Sequence, residues 1–479
     1  MIKRYKILFI FLVSSALLFQ GCSKWLDVQP KDKFLESDLF RNASGAATAL
    51  NGMYLLMADT SLYGRDLTMT TLEVLAQRYN ISSGHTFSLF QNYQYGEKDV
   101  KNNFTGIWEK AYVLIVNANQ FVRNLNTYKA TDISPQLDSL MRGEAIGLRA
   151  MMHFDVLRMF GPIYSKDSTS KSIPYYRNAA PDIAELLPAK QVLDSVLDDL
   201  ALAEKCLRND PVIVQGVIAA KGDNGDFWRN RNLRINYYAI KALQARVQLY
   251  RGNKTAALEA ARAVAEGGAI WFPWVAPSRI ISDRANPDRV FSSELIMGMF
   301  NLELYDLNER LFAPGLRDTR ILAPNDTRLK AVFESNENDY RYNPMWIVPS
   351  VGGKTYRTFY KYTDVLETDS LFRFKMPLIR MSEMYYIMAE CEPDAAKART
   401  YFNTVRKARG LTDIAATASL ATELQKEYQK EFWGEGQLFF FYKRKNVASI
   451  SNSSATSGTI TMDATKYVLP LPLSETQYR

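Results

Sequence analysis

The sequence predicts a mostly α-helical protein, in which a tetratricopeptide-like helical-repeat scaffold carries a loop-rich, mixed ligand-binding face. Apolar residues recur at helical spacing over long stretches, and two segments share the pattern of a helix, a short turn and an Ala-rich helix. Between these helical segments, long stretches lack the period and are rich in aromatic and polar side chains. We therefore expect a rigid helical scaffold on which irregular segments form a separate surface.

The helical period is clearest in three stretches, residues 107–125, 142–160 and 188–207. In the second stretch one face is apolar throughout, and Gly161-Pro162 then ends the pattern, as expected at the end of a helix. An apolar face at this spacing is most simply a packing surface. We predict core helices in all three stretches.

Residues 235–268 and 380–410 resemble degenerate tetratricopeptide-type hairpins. In the first, a helix breaks at Gly252-Asn253 and an Ala-rich helix follows from about Thr255. Small Ala side chains let two helices approach closely, and such pairs bury their apolar faces only by stacking on neighbouring pairs. We place the helical scaffold mainly in these ranges: 35–58, 105–160, 188–268 and 376–446.

The irregular segments are residues 59–105, 211–234 and 269–375. In the last of these, Pro, Gly, Asn and Asp are scattered among short β-prone stretches such as Trp346-Ile347-Val348. Long irregular segments in a helical protein often carry function, although surface padding is the alternative. We predict that these segments form the ligand face.

The N-terminus has the layout of a cleaved secretory signal. Three basic residues precede an apolar run from Ile7 to Phe19, which is shorter than the roughly 20 residues that a membrane-spanning helix needs. Cys22 then lies where bacterial lipoproteins carry the acylated residue, although Phe19 departs from the usual Leu. We predict a signal peptide over residues 1–21, one mature domain over residues 22–479 and a lipid anchor on Cys22. A secreted protein without lipid is the alternative.

Charge and reactive side chains exclude several classes of function. The formal charge is +8, which falls by the three basic residues of the predicted signal to +5, and no basic run suits nucleic acid. His85 and His153 are the two histidines of the chain, and neither belongs to a metal-binding or hydrolase motif. His153 fits a core histidine, and Cys206 and Cys391 fit free thiols. We predict no nucleic-acid partner, no metal, no cofactor and no catalytic residue.

Six strings along the chain together resemble the SusD/RagB family, in the order that the family has them. They are GCSKWLDVQPKD, RGEAIGLRAMMHFDVLRMFGPI, RMSEMYYIMAE, YFNTVRKARGL, EYQKEFWGEGQLFFFYKRKN and LPLPLSETQYR. Each string alone is weak, but six in register are specific. The chain departs from the family pattern at Met152-His153, at Gln437 and Phe440, and at Tyr478-Arg479, where members commonly continue.

The resemblance implies a cell-surface lipoprotein of Bacteroidota that is anchored in the outer membrane by lipid. Proteins of this family have a tetratricopeptide-like scaffold and sit as a lid on a SusC-like TonB-dependent transporter. They capture oligosaccharides, or peptides in some branches, and deliver them without cutting them. The resemblance therefore implies that this protein is a binding protein and not an enzyme.

A sugar-binding site needs flat aromatic rings beside short polar side chains, because sugar rings combine apolar C–H faces with a rim of hydroxyls. The resemblance draws part of that site from the segment before the Trp108 helix and part from the later irregular region. The alternative for each candidate is a buried side chain that anchors a loop. The candidate ligand-binding residues are Arg78, Tyr79, Asn92, Tyr95, Trp274, Tyr305 and Trp346.

Two rival functions remain open on sequence alone. A surface glycoside hydrolase needs two carboxylates about 5 to 9.5 Å apart, and 51 acidic residues permit that on number. However, Glu383, Glu390 and Glu431 lie in scaffold strings and not in a hydrolase motif. A protein- or peptide-binding helical-repeat adaptor is the second rival, which a lipoprotein signal and aromatic-rich loops fit less well.

Overall fold

The computed structural model describes residues 36–179, 183–217 and 229–477. The predicted signal peptide, Cys22 and Tyr478-Arg479 lie outside the described residues. Helices dominate the described part of the chain. In order they are α1 (Glu36–Leu39), α2 (Ala43–Met57), α3 (Thr71–Leu75), α4 (Ser88–Gln91), α5 (Lys98–Tyr128), α6 (Pro135–Phe160), α7 (Ala189–Cys206), α8 (Val212–Gln215), α9 (Tyr237–Arg251), α10 (Lys254–Gly267), α11 (Leu304–Phe312), α12 (Asp326–Val332), α13 (Met381–Cys391), α14 (Ala395–Ala408), α15 (Leu420–Glu431), α16 (Gln437–Lys445), α17 (Ala464–Tyr467) and α18 (Leu473–Gln477).

Strands are short and pair two by two, antiparallel, within the described ranges. The pairs are β1 (Lys171–Ile173) with β2 (Leu187–Pro188), β3 (Leu295–Phe300) with β6 (Lys375–Arg380), β4 (Trp346–Ile347) with β5 (Thr358–Phe359), and β7 (Ser449–Ser451) with β8 (Thr459–Thr461). In the second pair Leu295 lies opposite Arg380 and Phe300 opposite Lys375. With so little sheet, the predicted mostly α-helical fold class is confirmed.

Helices α5 and α6 are longer than their apolar periods indicate. Helix α6 begins at Pro135, because the Ser134 hydroxyl accepts a hydrogen bond from the Leu137 amide at 3.2 Å and Pro suits the first helical position. Helix α5 begins at Lys98, so the end of the segment predicted as irregular, residues 59–105, is helical. Polar first turns carry little apolar period, which is why the prediction started both helices too late.

The two predicted hairpins form and stack on each other. Helices α9 and α10 are separated by Gly252, whose φ of 88° is a left-handed conformation that glycine adopts without strain. Helix α13 contacts both α10 and α14, so the second hairpin packs against the first. Between them the buried Arg246 of α9 donates hydrogen bonds to Glu383 of α13 at 2.7 and 2.5 Å. The predicted helical-repeat scaffold is therefore confirmed.

A buried ionic network ties the irregular segments to these helices. Glu431, at the end of α15, accepts hydrogen bonds from Arg409 at 2.6 Å, from Arg341 at 2.9 Å and from Arg380. Arg409 also donates to Glu294 at 2.8 and 2.7 Å. Burial alone raises the pKa of Glu431, but the three guanidinium groups hold this pKa well below its usual range. We call this set of five residues the scaffold network.

The expectations for reactive side chains hold in the structure. His153 is fully buried; its Nδ1 lies 2.9 Å from the Arg149 carbonyl oxygen, and its Nε2 accepts from the Tyr176 amide at 3.1 Å. Burial lowers the pKa of His153 to about 3, so the ring is neutral at physiological pH. Cys206 and Cys391 are both free thiols.

Candidate functional site

The structure does not bring the seven predicted ligand-binding residues together. Three of them meet around the buried Trp433: the Arg78 guanidinium lies 4.3 Å from its ring centroid, and the rings of Tyr79 and Trp346 lie 6.4 and 4.6 Å away. Arg78, Tyr79 and Trp346 are only 4%, 0% and 1% exposed. Their predicted role at the ligand surface is therefore corrected, because these side chains present no face to a ligand.

Each of these three side chains anchors a loop to the core. Trp346 belongs to β4 and pairs with Phe359 of β5. Arg78 forms a buried ion pair with Glu73 at 3.1 Å, and the Tyr79 hydroxyl donates to the Met69 carbonyl at 2.9 Å. The sequence shows a large aromatic or basic residue in an irregular segment, but it does not show which side of the loop faces the scaffold.

Tyr95 reaches a cavity of about 680 Å³ beside α5, lined also by Asn102 and by residues 470–474. A second cavity of about 640 Å³, lined by Tyr112, shares Glu109 and Ser474 with the first. The polar edge of Tyr95 is already used, since its hydroxyl donates to the Lys466 carbonyl at 2.6 Å. Tyr95 thus remains a predicted ligand contact, in a groove partly walled by the last turns of the described chain.

Neither Asn92 nor Trp274 lines either of these two cavities. Asn92 is exposed at the end of α4. Trp274 is half-buried, with its ring centroid 5.2 Å from that of Tyr385 on α13 and with the Arg409 guanidinium 5.6 Å away. The contacts of Trp274 are with the helical scaffold, and the ligand roles of both residues stay predictions.

Tyr305 is part of a cluster of three aromatic rings at the surface, Phe300, Tyr305 and Phe374, which we call the aromatic patch. The Phe374 ring centroid lies 4.6 Å from that of Tyr305 and 5.5 Å from that of Phe300. Phe300 is 46% exposed, while Tyr305 and Phe374 are half-buried. Together they offer fixed apolar ring faces to solvent.

Backbone hydrogen bonds hold the aromatic patch in place. Phe300 ends β3 and Phe374 directly precedes β6, and the Asn301 amide donates to the Phe374 carbonyl at 2.8 Å. The Phe374 amide in turn donates to the Tyr305 hydroxyl at 3.1 Å. Rings fixed in this way lose little conformational entropy when a ligand stacks on them.

Polar and apolar groups surround the aromatic patch. The Arg373 guanidinium lies 5.4 Å from the Tyr305 ring centroid and 4.9 Å from that of Phe374, and it forms two hydrogen bonds with Asp364 at 2.8 and 2.6 Å. Leu302 and Leu371 are both strongly exposed. Ring faces beside charged hydrogen-bonding groups are the combination that sugar recognition requires.

Sequence reasoning found Tyr305 but missed Phe300 and Phe374. These two rings come together because β3 and β6 are paired, and 74 residues separate them in the chain. A strand pairing between distant segments leaves no local signal in one sequence. The alternation at the strand ends could have marked each Phe as an edge residue, but not as a neighbour of the other.

Two kinds of feature are absent from the residues described. No helix within residues 36–179, 183–217 and 229–477 combines the length and the apolar character that a membrane span requires. In the same ranges, no group of three or more His, Cys, Asp or Glu side chains is placed to hold a metal ion.

Comparison with known families identifies the class of protein that this fold and surface define. A family model described as "Starch-binding associating with outer membrane" matches residues 24–215, and a second, described as the SusD family, matches residues 322–476. The two matches follow one another along the chain; four of the six strings that suggested the family lie within them, and the first and last strings overlap their ends. The chain belongs to the SusD/RagB family.

Individual relatives agree with that assignment. A SusD-like protein P2 of Formosa agariphila is 27% identical over 219 residues, which span 43% of this chain and only 38% of that relative's length. A SusD superfamily protein of Bacteroides thetaiotaomicron has a TM-score of 0.71 at 20% identity, covering 91% of this chain and 98% of its own. A laminarin-binding SusD-like protein has a TM-score of 0.64 at 16% identity, covering 91% and 98%. At such identities the solved structures show that the fold is shared.

Proposed function

We propose that the protein is a cell-surface glycan-binding lipoprotein that captures oligosaccharides and delivers them, without hydrolysis, to a SusC-like TonB-dependent outer-membrane transporter. Membership of the SusD/RagB family supports this function, and one structural relative binds laminarin. The chain's predicted lipid anchor at Cys22 supports the location at the outer membrane.

The aromatic patch is the observation that carries the proposal. Three rings reach the surface in one place, their positions are fixed by backbone hydrogen bonds, and a guanidinium lies over two of them. A sugar ring stacked on such faces gains apolar contact on one side while its hydroxyls reach polar groups at the rim. The cavity beside α5 presents one partly exposed aromatic ring, that of Tyr95, whereas the aromatic patch presents three, so we place the ligand on the aromatic patch.

The positions of the scaffold acids support a binding protein over a hydrolase. Glu383 and Glu431 are buried in ion pairs with arginines. For Glu390, burial favours the neutral acid, but Arg444 and Lys445 hold its pKa at about 2. A glycosidase acid needs a raised pKa and access to the substrate, and none of these three carboxylates has both.

Affinity electrophoresis of the full-length protein in detergent tests the proposed function. We expect retardation in native gels that contain a bound polysaccharide, and no new reducing ends after prolonged incubation with it. New reducing ends would identify a hydrolase instead. Failure of every polysaccharide tested to retard the protein, with capture of a protein partner, would identify the adaptor.

The lipid anchor is tested at Cys22. Cys22→Ala removes the thiol to which acyl chains attach, so metabolic labelling with a fatty-acid analogue should mark the wild type and not the variant. Co-purification of the wild type, and not of the variant, with a TonB-dependent transporter from outer membranes would support the delivery step. Equal labelling of both proteins would exclude the anchor at this position.

A further inference from the structure

Two buried cations beside the aromatic patch lack carboxylate partners. Arg289 and Lys375 are only 8% and 9% exposed. Across the described residues, no carboxylate oxygen lies within 4.0 Å of either charged group. Buried charges in proteins are normally paired, so these two call for an explanation.

Both cations belong to the surroundings of the patch. Lys375 lies opposite Phe300 in the β3–β6 pair and directly follows Phe374. Arg289 interacts electrostatically with Tyr305, and its Nη1 donates to the Thr363 carbonyl at 3.1 Å. Lys375 thus neighbours two rings of the patch along the β3–β6 pair, and Arg289 neighbours the third.

Unsatisfied polar atoms lie in the same place. Nε of Arg289 is buried without a hydrogen-bond partner in the described structure, and so is Oδ1 of Asn308, one turn after Tyr305 on α11. Asn308 and Arg289 also share Thr363 as a neighbour, since Asn308 Nδ2 donates to the Thr363 hydroxyl at 3.3 Å. Leaving such atoms unpaired is unfavourable, and a ligand that satisfies them would remove that cost.

The nearby carboxylates are already committed. Asp364 is held by Arg373 through two hydrogen bonds, and Asp288 accepts from the amide and the hydroxyl of Ser292 at 3.0 and 2.7 Å. Arg289 therefore has no carboxylate in ion-pair contact, and Lys375 interacts with Asp288 only electrostatically, beyond ion-pair distance.

The pKa values agree with this geometry. Burial lowers the pKa of Arg289 to about 10 and also lowers the pKa of Lys375. In the scaffold network, by contrast, carboxylates outweigh burial and raise the pKa of Arg409. Asp288 offsets part of the effect of burial on Lys375, no carboxylate does so for Arg289, and a bound anion would stabilise both cations.

We propose that the aromatic patch binds a negatively charged sugar residue, whose carboxylate or sulfate group is held by Arg289 and Lys375. This inference rests on the proposed glycan-binding function and specifies the class of glycan. The sugar ring stacks on Tyr305 and Phe374, while the guanidinium fork of Arg289 donates two parallel hydrogen bonds to the anion. Lys375 contributes a second charge from the neighbouring strand.

Calorimetry with the full-length protein in detergent tests the inference. The probes are oligogalacturonate for a carboxylate, carrageenan oligosaccharides for a sulfate and laminarin oligosaccharides as the neutral reference. We expect at least one acidic probe to bind about tenfold or more tightly than the neutral one, with an affinity that falls as salt is raised. The acidic probe that binds identifies the anion.

Arg289→Met and Lys375→Met remove one charge each while keeping an unbranched side chain. Each should weaken binding of the acidic probe about tenfold and binding of the neutral probe clearly less, whereas Lys330→Met, at an exposed lysine on α12, should change neither. Arg289→Met leaves no buried carboxylate unpaired, although it removes the hydrogen bond to the Thr363 carbonyl, and thermal unfolding of each variant checks that the fold is retained. Lys375→Met tests the anion site a second time, at a residue on a different segment of the chain.

Three outcomes separate the two proposals. Binding of acidic probes that both Met variants weaken supports the inference. Neutral glycans that bind as tightly as acidic ones, or acidic binding that survives both Met variants, would overturn the anion site and leave the glycan-binding function standing. If neither acidic nor neutral glycans bind, the proposed function fails, and the anion site fails with it.

Discussion

Two buried clusters of cations in this molecule differ in how their charges are matched. In the scaffold network every guanidinium faces carboxylates, and Arg409 alone contacts both Glu294 and Glu431. Beside the aromatic patch, Arg289 and Lys375 are also buried, at 8% and 9% exposed, yet within the described residues neither has a carboxylate within the 4.0 Å of an ion pair. The first cluster joins helices to loops, and the second lies where the loops meet solvent.

This difference indicates which buried charges hold the fold and which await a ligand. A buried ion loses its hydration free energy, and only a partner of opposite charge compensates for that loss. Where the chain supplies the partner, removing either member should strongly destabilise the fold. Where the chain supplies none, removing the ion should leave the fold intact and affect only what binds there.

The largest expected effect is at the scaffold network. Glu431→Gln removes the carboxylate that faces three arginines, so we expect the free energy of unfolding to fall by about 3–5 kcal/mol, measured by denaturant unfolding. Lys330→Met, which breaks an exposed pair with Asp326, should leave the free energy of unfolding nearly unchanged. If the two variants lower the free energy of unfolding equally, the scaffold network does not stabilise the fold, and the contrast between the paired and unpaired cations is wrong.

A packing variant tests the scaffold without touching charge. Ala261 of α10 is fully buried, so Ala261→Leu should overpack the hairpin and lower the free energy of unfolding by about 1–3 kcal/mol. Glu259→Leu adds a leucine at an exposed position of the same helix and should leave the denaturation midpoint nearly unchanged. Equal denaturation midpoints for both variants would mean that the α10 face around Ala261 is not tightly packed.

Acid should destabilise the scaffold through His153, because protonation would create a buried charge without a partner. The pKa of His153 is about 3 in the folded protein and about 6.5 in the unfolded chain. Between these values the unfolded chain binds the proton, so stability falls as pH falls below about 6.5. From pH 6.5 to pH 5 this contributes a loss of about 1.5 kcal/mol.

His153→Gln isolates that contribution, since glutamine stays neutral across the range. Unfolding measured at pH 6.5 and pH 5 should show a smaller loss in the variant than in the wild type, by about 1.5 kcal/mol. Other groups titrate equally in both proteins. The same pH dependence in both would show that His153 is protonated in the fold, and thus that the scaffold accepts an unmatched charge.

The sequence predicted the scaffold well and the surface poorly, for a physical reason. Helices, hairpins and the core position of His153 follow from periods and breakers within a few turns of the chain. The aromatic patch depends instead on the pairing of β3 with β6, and the position of Trp346 depends on which side of a loop meets the core. Such long-range packing leaves no pattern in one sequence. An aromatic residue that reaches the surface, such as Tyr305, therefore could not be told from one that anchors a loop to the core, such as Trp346.

The smallest expected effect is on ligand binding, and it distinguishes an exposed ring from a buried one. Tyr305→Ala removes one face of the aromatic patch, so oligosaccharide affinity should fall about tenfold, equivalent to about 1.4 kcal/mol. Tyr305→Phe keeps the ring and should retain most of the affinity. Trp346→Ala should instead lower the thermal midpoint, because its ring lies in the core.

Calorimetry and thermal unfolding of these variants and of Tyr95→Ala, in the full-length protein, decide between the aromatic patch and the groove beside α5 as the ligand site. Loss of affinity in Tyr305→Ala at an unchanged thermal midpoint places the ligand on the aromatic patch. Unchanged affinity in Tyr305→Ala, combined with a loss in Tyr95→Ala, would move the ligand to the groove beside α5. In that case no sugar would stack on the rings beside Arg289 and Lys375, and the anion site proposed there would fail. The absence of ion pairs at these two cations, in contrast to the scaffold network, would then need a different explanation.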